Sequence, residues 1–159
     1  MDSFAMKREN AGISRRDVLI SAAVAPLIIS GRAWGSNGRI RVGQIGCGRI
    51  AQGHDMPGVI KSDLADYVAI CELDSRRLAD GVKIIEKSYT DRGIKAPQIR
   101  TFDNYRELIA RKDIDAVVIS TPDHWHAEVA LAAIEAGKDV YLQKPFTMTH
   151  AEGVVLRMR

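Results

Sequence analysis

The sequence predicts an α/β fold with a doubly wound parallel sheet, because short apolar runs alternate with helical segments along most of the chain. The helical segments carry apolar residues at a spacing of three to four positions. The run at 115–120 is almost wholly apolar, as expected of a strand that helices cover on both faces. A glycine-rich turn follows the first run directly, which also favours this class.

The individual elements follow from residue 39 onward. The predicted strands lie at 39–45, 67–71, 99–102, 115–120 and 139–142, and the predicted helices at 50–60, 74–88, 103–109, 124–136 and 149–159. Pro57 and Gly58 are expected to loosen the first helix. Asp103 is expected to cap the third helix, and Gly137 to end the fourth.

Residues 1–36 are expected to lie outside this fold as an export signal. Arg15 and Arg16 precede a short apolar run at 20–29, and small residues follow near 33–35. The run is short for a bilayer, which takes roughly 20 apolar residues. Adjacent arginines before the apolar run resemble the bacterial twin-arginine signal, which implies a periplasmic or otherwise exported protein. A buried amphipathic helix and an uncleaved membrane anchor are the alternatives.

Length and charge limit the remaining possibilities. The chain has 159 residues, enough for one domain beyond the leader. Its formal net charge is +3, of which the leader supplies two charges, so residues 37–159 are nearly neutral. A nearly neutral domain lacks the basic surface of a nucleic-acid-binding protein. Cys47 and Cys71 are expected to be small core residues, with a disulfide between them as the alternative.

The glycine turn has the pattern G-x-G-x-x-A between a strand and a helix. Gly46 would allow the tight turn, and Gly48 would leave room for a pyrophosphate. Ala51 would let the helix pack closely on the strand. The amide groups at Arg49 and Ile50 would face the phosphates at the helix N-terminus. The pattern in this context predicts a dinucleotide site.

An acidic residue after the second strand supports the same site. Glu72 follows the strand 24 residues after Gly48 and would bind the ribose hydroxyls, with Asp74 close by. A carboxylate there repels a 2′-phosphate and so favours NAD. Arg76 and Arg77 follow at once, and arginine is the residue that accommodates NADP. NAD is the predicted cofactor, and NADP is the alternative.

Two further motifs follow the fourth and fifth predicted strands. They read Ser120-Thr121-Pro122-Asp123-His124-Trp125-His126 and Gln143-Lys144-Pro145. Together with the glycine turn, they resemble the N-terminal NAD(P)-binding domain of the glucose–fructose oxidoreductase / inositol dehydrogenase (Gfo/Idh/MocA) family over residues 39–159. All three motifs fall at carboxyl ends of strands, where such sheets bind ligands.

The resemblance implies roles for these residues. Ser120, Thr121 and Pro122 would line the cofactor. His126 matches the family histidine beside the nicotinamide and is the candidate for a catalytic role, while His124 is the weaker match and a cofactor-binding candidate.

The resemblance also implies that Lys144 is catalytic and contacts the substrate hydroxyl that becomes a carbonyl, as well as the cofactor. Gln143 stands where the family usually has glutamate, so the negative charge of that glutamate is missing at this position. An amide at 143 can still orient its neighbours by hydrogen bonds. No metal site is predicted.

Family members continue with a second α/β domain that builds the substrate pocket and the usual dimer contact. The chain is therefore expected to be the cofactor-binding portion of an NAD(P)-dependent oxidoreductase, truncated before that domain and incomplete as a catalyst by itself. Its substrate would be a sugar, polyol or related alcohol, and the whole protein would be a homo-oligomer. The alternatives are a non-catalytic dinucleotide-binding module or truncated remnant, and an NAD-dependent glycosidase. Relatives of the last kind tend to lack the lysine of the Lys-Pro motif.

Overall fold

The computed structural model describes residues 38–159, and the expected export signal at 1–36 lies outside that range. Five strands form one parallel sheet: β1 Ile40–Ile45, β2 Ala65–Cys71, β3 Arg100–Phe102, β4 Ala116–Ile119 and β5 Asp139–Leu142. Their spatial order is β3-β2-β1-β4-β5. The order reverses between β1 and β4, so the predicted doubly wound parallel sheet is confirmed.

Helices connect the strands. They are α1 Met56–Ile60, α2 Ser75–Asp91, α3 Tyr105–Ile109, α4 His126–Glu135 and α5 His150–Arg157. Thr149 caps α5 through a reciprocal pair of hydrogen bonds with Glu152. Gly137 ends α4 with a φ of 71°, and the following amide returns to the carbonyl of Ala133 at 3.0 Å. This helix therefore stops at the predicted glycine.

Apolar side chains fill both sides of the sheet. On one side Val42 and Ile70 pack with Met56 of α1 and Ile85 of α2. On the other side the apolar cluster combines strand residues with side chains of α3, α4 and α5; it includes Ile45, Val117, Ile119, Leu108, Val129 and Leu156. Helices on both faces explain why the strand at 116–119 is a continuous apolar run.

The first predicted helix, at 50–60, is not a uniform α-helix. A π-helical turn at Ala51–Asp55 comes first, and α1 continues from Met56 with Pro57 in its first turn. Pro57 has no N–H to donate, so the wider turn before it does not cost a backbone hydrogen bond at that residue. Ala51 and Asp55 are the buried residues of the π turn. Single π turns inside helices occur frequently at functional sites.

The cap of α3 also differs from the prediction. The side chain of Asn104, not Asp103, accepts a hydrogen bond from the amide of Arg106 at 3.0 Å. Asn104 has the extended backbone of a capping residue, with φ of −114° and ψ of 115°. The prediction was therefore one residue early.

Cys47 and Cys71 are buried and free in the structure, as expected for small core residues. Among residues 38–159, no helix is long and apolar enough to cross a membrane. Within the same range, no cluster of three or more His, Cys, Asp and Glu side chains is arranged to hold a metal ion.

Candidate functional site

A cleft of about 780 Å³ opens at the carboxyl edge of the sheet, where loops after all five strands contribute to its wall. Most of the predicted site residues line it: Gly46, Gly48, Arg49, Ile50, Glu72, Asp74, Arg77, Ser120, Thr121, Pro122, Gln143 and Lys144. The four predicted residues that do not line it are Ala51, Arg76, His124 and His126. The sequence motifs therefore converge on one site.

The two glycines of the turn have different surroundings. Gly46 has a φ of 85°, and a Cβ on it would lie 2.7 Å from the carbonyl oxygen of Ser120. It allows β1 to turn tightly against the end of β4. A Cβ on Gly48 would meet no atom within 4 Å, although Gly48 borders the cleft. The open space at Gly48 fits a bulky group lying against the backbone, as the pyrophosphate of a dinucleotide does.

Glu72 joins the loop after β2 to the glycine turn. One carboxylate oxygen accepts the amide of Cys47 at 2.8 Å. The other accepts the amides of Leu73 at 2.8 Å and Asp74 at 3.1 Å. These hydrogen bonds hold the carboxylate in the wall of the cleft, at the end of β2 where an acid is expected to meet ribose hydroxyls.

Asp74 caps α2 as well as lining the cleft. Its carboxylate accepts the amides of Arg76 at 2.9 Å and Arg77 at 3.3 Å. The backbone hydrogen bonds from Arg76 and then Arg77 hold the pKa of Asp74 below its usual value. The side chain of Arg76 is 89% exposed and lies outside the cleft, whereas Arg77 borders it. Of the two arginines predicted to compete with Glu72, only Arg77 is in place.

The loops after β4 and β5 form the far half of the cleft. Lys144 is exposed there, and its backbone amide donates to the Oε1 atom of Gln143 at 2.8 Å. The Oγ1 atom of Thr121 is buried and has no hydrogen-bond partner within the described part of the chain. A buried hydroxyl without a partner is uncommon, and in a cleft wall it suits a polar ligand.

His126 lies outside the residues that line the cleft, and its place beside the nicotinamide stays a prediction. It is 1% exposed at the start of α4, below the wall of the cleft. Its Nδ1 atom lies 2.6 Å from the carbonyl oxygen of Pro145, and its Nε2 atom lies 3.0 Å from that of Thr121. Both ring nitrogens face backbone carbonyls, and the nitrogen that carries the proton donates to one of them, which is the geometry of a residue that positions loops. His124 is exposed and also outside the cleft.

Sequence reasoning missed part of the wall. Asp103, Asn104 and Tyr105 follow β3 and line the cleft, and so do the exposed side chains of Leu73 and Trp125. The Tyr105 and Trp125 rings meet edge to face, with centroids 6.4 Å apart. The third strand was predicted, and its carboxyl end must share the edge of the other strands. That placement is the signal that could have identified this loop.

The fold and the site together define the class of protein. The sheet is parallel and doubly wound, a glycine turn follows β1, an acid follows β2, and the cleft opens where the strand order reverses. These features are those of a Rossmann-type dinucleotide-binding domain. Residues 40–156 match the profile of the oxidoreductase family with the NAD-binding Rossmann fold, Gfo/Idh/MocA. The chain belongs to this family, and the predicted resemblance is confirmed. Its described residues form the NAD-binding domain.

The chain is similar in sequence to part of several longer proteins. A glycosyl hydrolase family 109 protein of Shewanella pealeana is 34% identical over 112 residues, which are 69% of this chain and 24% of the relative. The chain thus spans about a quarter of the length of the curated relatives it matches.

Solved structures with the same fold include two enzymes. KijD10, a 3-ketoreductase from Actinomadura kijaniata in complex with NADP and TDP-benzene, is 31% identical with a TM-score of 0.59, covering 76% of this chain and 33% of the enzyme. The myo-inositol 2-dehydrogenase of Lactobacillus plantarum is 28% identical with a TM-score of 0.58, covering 76% of this chain and 32% of the enzyme.

Proposed function

We propose that this chain provides the cofactor half of an NAD(P)-dependent oxidoreductase acting on a sugar, polyol or related alcohol. The observation that carries the proposal is the convergence of the glycine turn, Glu72 and Lys144 on one cleft. When bound there, a nicotinamide dinucleotide supplies hydride transfer, which protein side chains cannot perform. The inositol dehydrogenase and ketoreductase relatives support this reaction class.

Different residues of the cleft would bind different parts of the dinucleotide. Gly48 leaves the backbone open to a pyrophosphate, and the helix that starts at Arg49 directs its amino end toward it. Glu72 would accept hydrogen bonds from ribose hydroxyls. Thr121, whose hydroxyl has no partner among the described residues, would bond to the nicotinamide half.

Lys144 is the residue proposed to handle the hydroxyl proton. Its side chain is exposed in the cleft wall, while its backbone is held by Gln143. An amine in that position can accept the proton as the alcohol is oxidised and return it in the reverse direction. The substrate itself would be held by a further domain like those of the longer relatives, and that domain would also make the contact between subunits.

NAD is the proposed cofactor, with NADP as the alternative. Glu72 and Asp74 place two carboxylates beside the position of the adenosine ribose, and both would repel a 2′-phosphate. Arg77 borders the cleft on the side of these two acids, and Arg49 of the glycine turn borders it as well. The balance of charge in the wall therefore favours the unphosphorylated ribose.

The test is a titration of the full 159-residue chain with NADH and then NADPH, followed by nicotinamide fluorescence. We expect saturable binding, tighter for NADH. Gly48→Glu should abolish binding, because its side chain and charge would occupy the space of the pyrophosphate. Gly58→Glu is the matched control: it makes the same change at another glycine with open surroundings, outside the cleft.

Absence of binding by folded protein would contradict the proposal for this chain, and so would equal binding by the two glycine variants. Tighter binding of NADPH would overturn the cofactor preference alone. In that case Arg77→Ala should shift preference toward NADH, because Arg77 would be the group meeting the 2′-phosphate.

A glycosidase is the second candidate function, favoured by the names of the relatives from Shewanella. Such an enzyme would use the nicotinamide in a transient oxidation and regenerate it within each turnover. The longer protein containing this domain should then release a sugar from a glycoside without net formation of NADH. Net NADH from a free polyol would identify the dehydrogenase instead.

We also propose that the protein is exported folded through the twin-arginine route. The support is the sequence alone, with Arg15 and Arg16 before the apolar run at 20–29. A protein that takes its dinucleotide from the cytoplasm has to fold before export. Replacing both arginines with lysine should keep the protein in the cytoplasmic fraction of a bacterial host. Unchanged export would contradict the route.

A further inference from the structure

A buried carboxylate lies directly behind the far half of the cleft. Asp55 ends the π-helical turn, and its side chain is 1% exposed. Burying a carboxylate is costly unless hydrogen bonds compensate for the lost water. Its three polar neighbours are Ser120, Gln143 and His54, the last with a ring 77% exposed and Nδ1 at 3.1 Å. The first two are residues of the cleft wall.

The direction of each hydrogen bond on the Ser120 side follows from groups that can only accept. The carbonyl oxygen of Gly46 is such a group, so the Nε2 atom of Gln44, 2.8 Å away, must donate to it. The same Nε2 atom donates to Ser120 Oγ at 3.1 Å, while Gln44 Oε1 accepts the hydroxyl of Tyr67. Ser120 therefore donates its own proton to Asp55 Oδ2 at 2.7 Å.

The Gln143 side is fixed in the same way. The amide of Lys144 can only donate, so the atom of Gln143 that faces it is Oε1. The Nε2 atom of Gln143 consequently donates to Asp55 Oδ1 at 2.8 Å. Asp55 thus accepts a hydrogen bond at Oδ2 from Ser120 and another at Oδ1 from Gln143, an arrangement that suits an ionised carboxylate.

This geometry explains the missing glutamate at 143. A glutamate there would place its carboxylate against that of Asp55, at the 2.8 Å now spanned by the amide hydrogen bond. Like charges that close cannot both remain ionised. An amide at 143 and an acid at 55 are compatible, and so are an acid at 143 and an amide at 55.

We propose that Asp55 carries the negative charge of the nicotinamide half of the site and positions Lys144 through Gln143. The inference rests on the proposed function, because it concerns the same dinucleotide. A negative charge behind this wall stabilises the cationic oxidised nicotinamide more than the neutral reduced one. Asp55 thus favours binding of NAD⁺ over binding of NADH, without itself touching the dinucleotide.

The test compares the affinities of the full chain for NAD⁺ and NADH, since their ratio isolates the nicotinamide half. Asp55→Asn should weaken NAD⁺ relative to NADH by about threefold or more. The double variant Asp55→Asn/Gln143→Glu should restore the ratio, because it returns the charge to the neighbouring position. Asp80→Asn is the control: it removes an exposed acid of α2 that lies outside the network, and the ratio should not change.

An unchanged ratio in Asp55→Asn would overturn the inference while leaving the proposed function intact. Failure of the unaltered chain to bind either dinucleotide would instead count against the proposed function. If neither dinucleotide binds, the thermal stability of the Gln143→Glu variant tests whether Asp55 is charged. Its melting temperature should lie below that of the unaltered chain at pH 7, and the difference should shrink as the pH is lowered, because protonation of one carboxyl removes the repulsion. A difference that does not change with pH would contradict a charged Asp55.

Discussion

A Cβ placed on Gly46 would lie 2.7 Å from the carbonyl oxygen of Ser120, whereas one placed on Gly48 would meet open space. The two glycines of the turn therefore have different roles. Gly46 is required by the protein itself, because β1 and β4 approach closely there. Gly48 leaves open the space in which we propose that the pyrophosphate binds.

Alanine at each glycine should separate these roles. Gly46→Ala should lower the free energy of unfolding by at least about 2 kcal/mol, because it adds a backbone clash to a left-handed conformation. Gly48→Ala should change stability by less than about 1 kcal/mol and still weaken NADH binding. Urea unfolding and the fluorescence titration measure the two effects. Equal stability losses in the two variants would contradict the assignment.

His126→Ala should act mainly on stability. The side chain is buried between the carbonyls of Thr121 and Pro145 and donates to one of them, so its removal leaves a cavity and an unpaired acceptor. We expect a loss of about 2–4 kcal/mol. The exposed neighbour His124 is the matched control, and His124→Ala should lose less than about 0.5 kcal/mol. If His126→Ala kept full stability, the structural role of His126 would be contradicted, and the catalytic role predicted from the sequence would be favoured instead.

Arg41 and Asp115 should make the domain acid-sensitive. Three hydrogen bonds of 2.7–2.9 Å join them, and the bonds from the Arg41 side chain chiefly hold the pKa of Asp115 below its ordinary 3.8. The stabilisation is present above the unfolded pKa and disappears as the pH falls through the lower, folded pKa. Asp115→Asn should cost about 2 kcal/mol at pH 7, and the gap to the unaltered chain should close in strong acid.

Denaturant unfolding between pH 7 and pH 2 measures that gap. Asp80→Asn, at an exposed ion pair of α2, should show a gap near zero throughout. If the difference in free energy of unfolding between Asp115→Asn and the unaltered chain widened as the pH fell, stabilisation by an ionised Asp115 would be refuted.

The two thiols should be inert in the folded protein. Burial, followed by the charge of Glu72, raises the pKa of Cys47 to about 12 and that of Cys71 to about 12. The thiolate is the reactive form, so alkylation at pH 8 should be very slow until denaturant is added, after which both should react. Mass spectrometry counts the added groups. Rapid labelling of the folded chain would contradict the burial of these side chains.

The sequence was most informative where one residue type alone satisfies the backbone. Gly46 and Gly137 were placed correctly because both sites need a left-handed conformation. The alternation of strands and helices likewise predicted the parallel, doubly wound sheet. Predictions failed where two neighbours compete for one task, as with Asp103 and Asn104, since either side chain can cap a helix and only the path of the chain decides.

The polar network could not be predicted from sequence for a different reason. Asp55 and Gln143 are 88 residues apart, and their contact depends on a π turn that shifts which side chains point inward. The burial of His126 could not be predicted either, because a motif gives the order of residues but not their depth. Burial is a property of the assembled fold, so a histidine beside a cleft and one beneath it have the same local sequence.

The strand order has a consequence for how this domain can diversify. Glu72, Asp74 and Arg77 lie after β2, while Gln143 and Lys144 lie after β5, with β1 and β4 between them. The buried Asp55 network reaches the second group but makes no bond to the first. We therefore expect substitutions after β2 to change the preference between dinucleotides without disturbing the other end of the cleft, at Gln143 and Lys144. Natural variation could then change the two ends of the cleft independently.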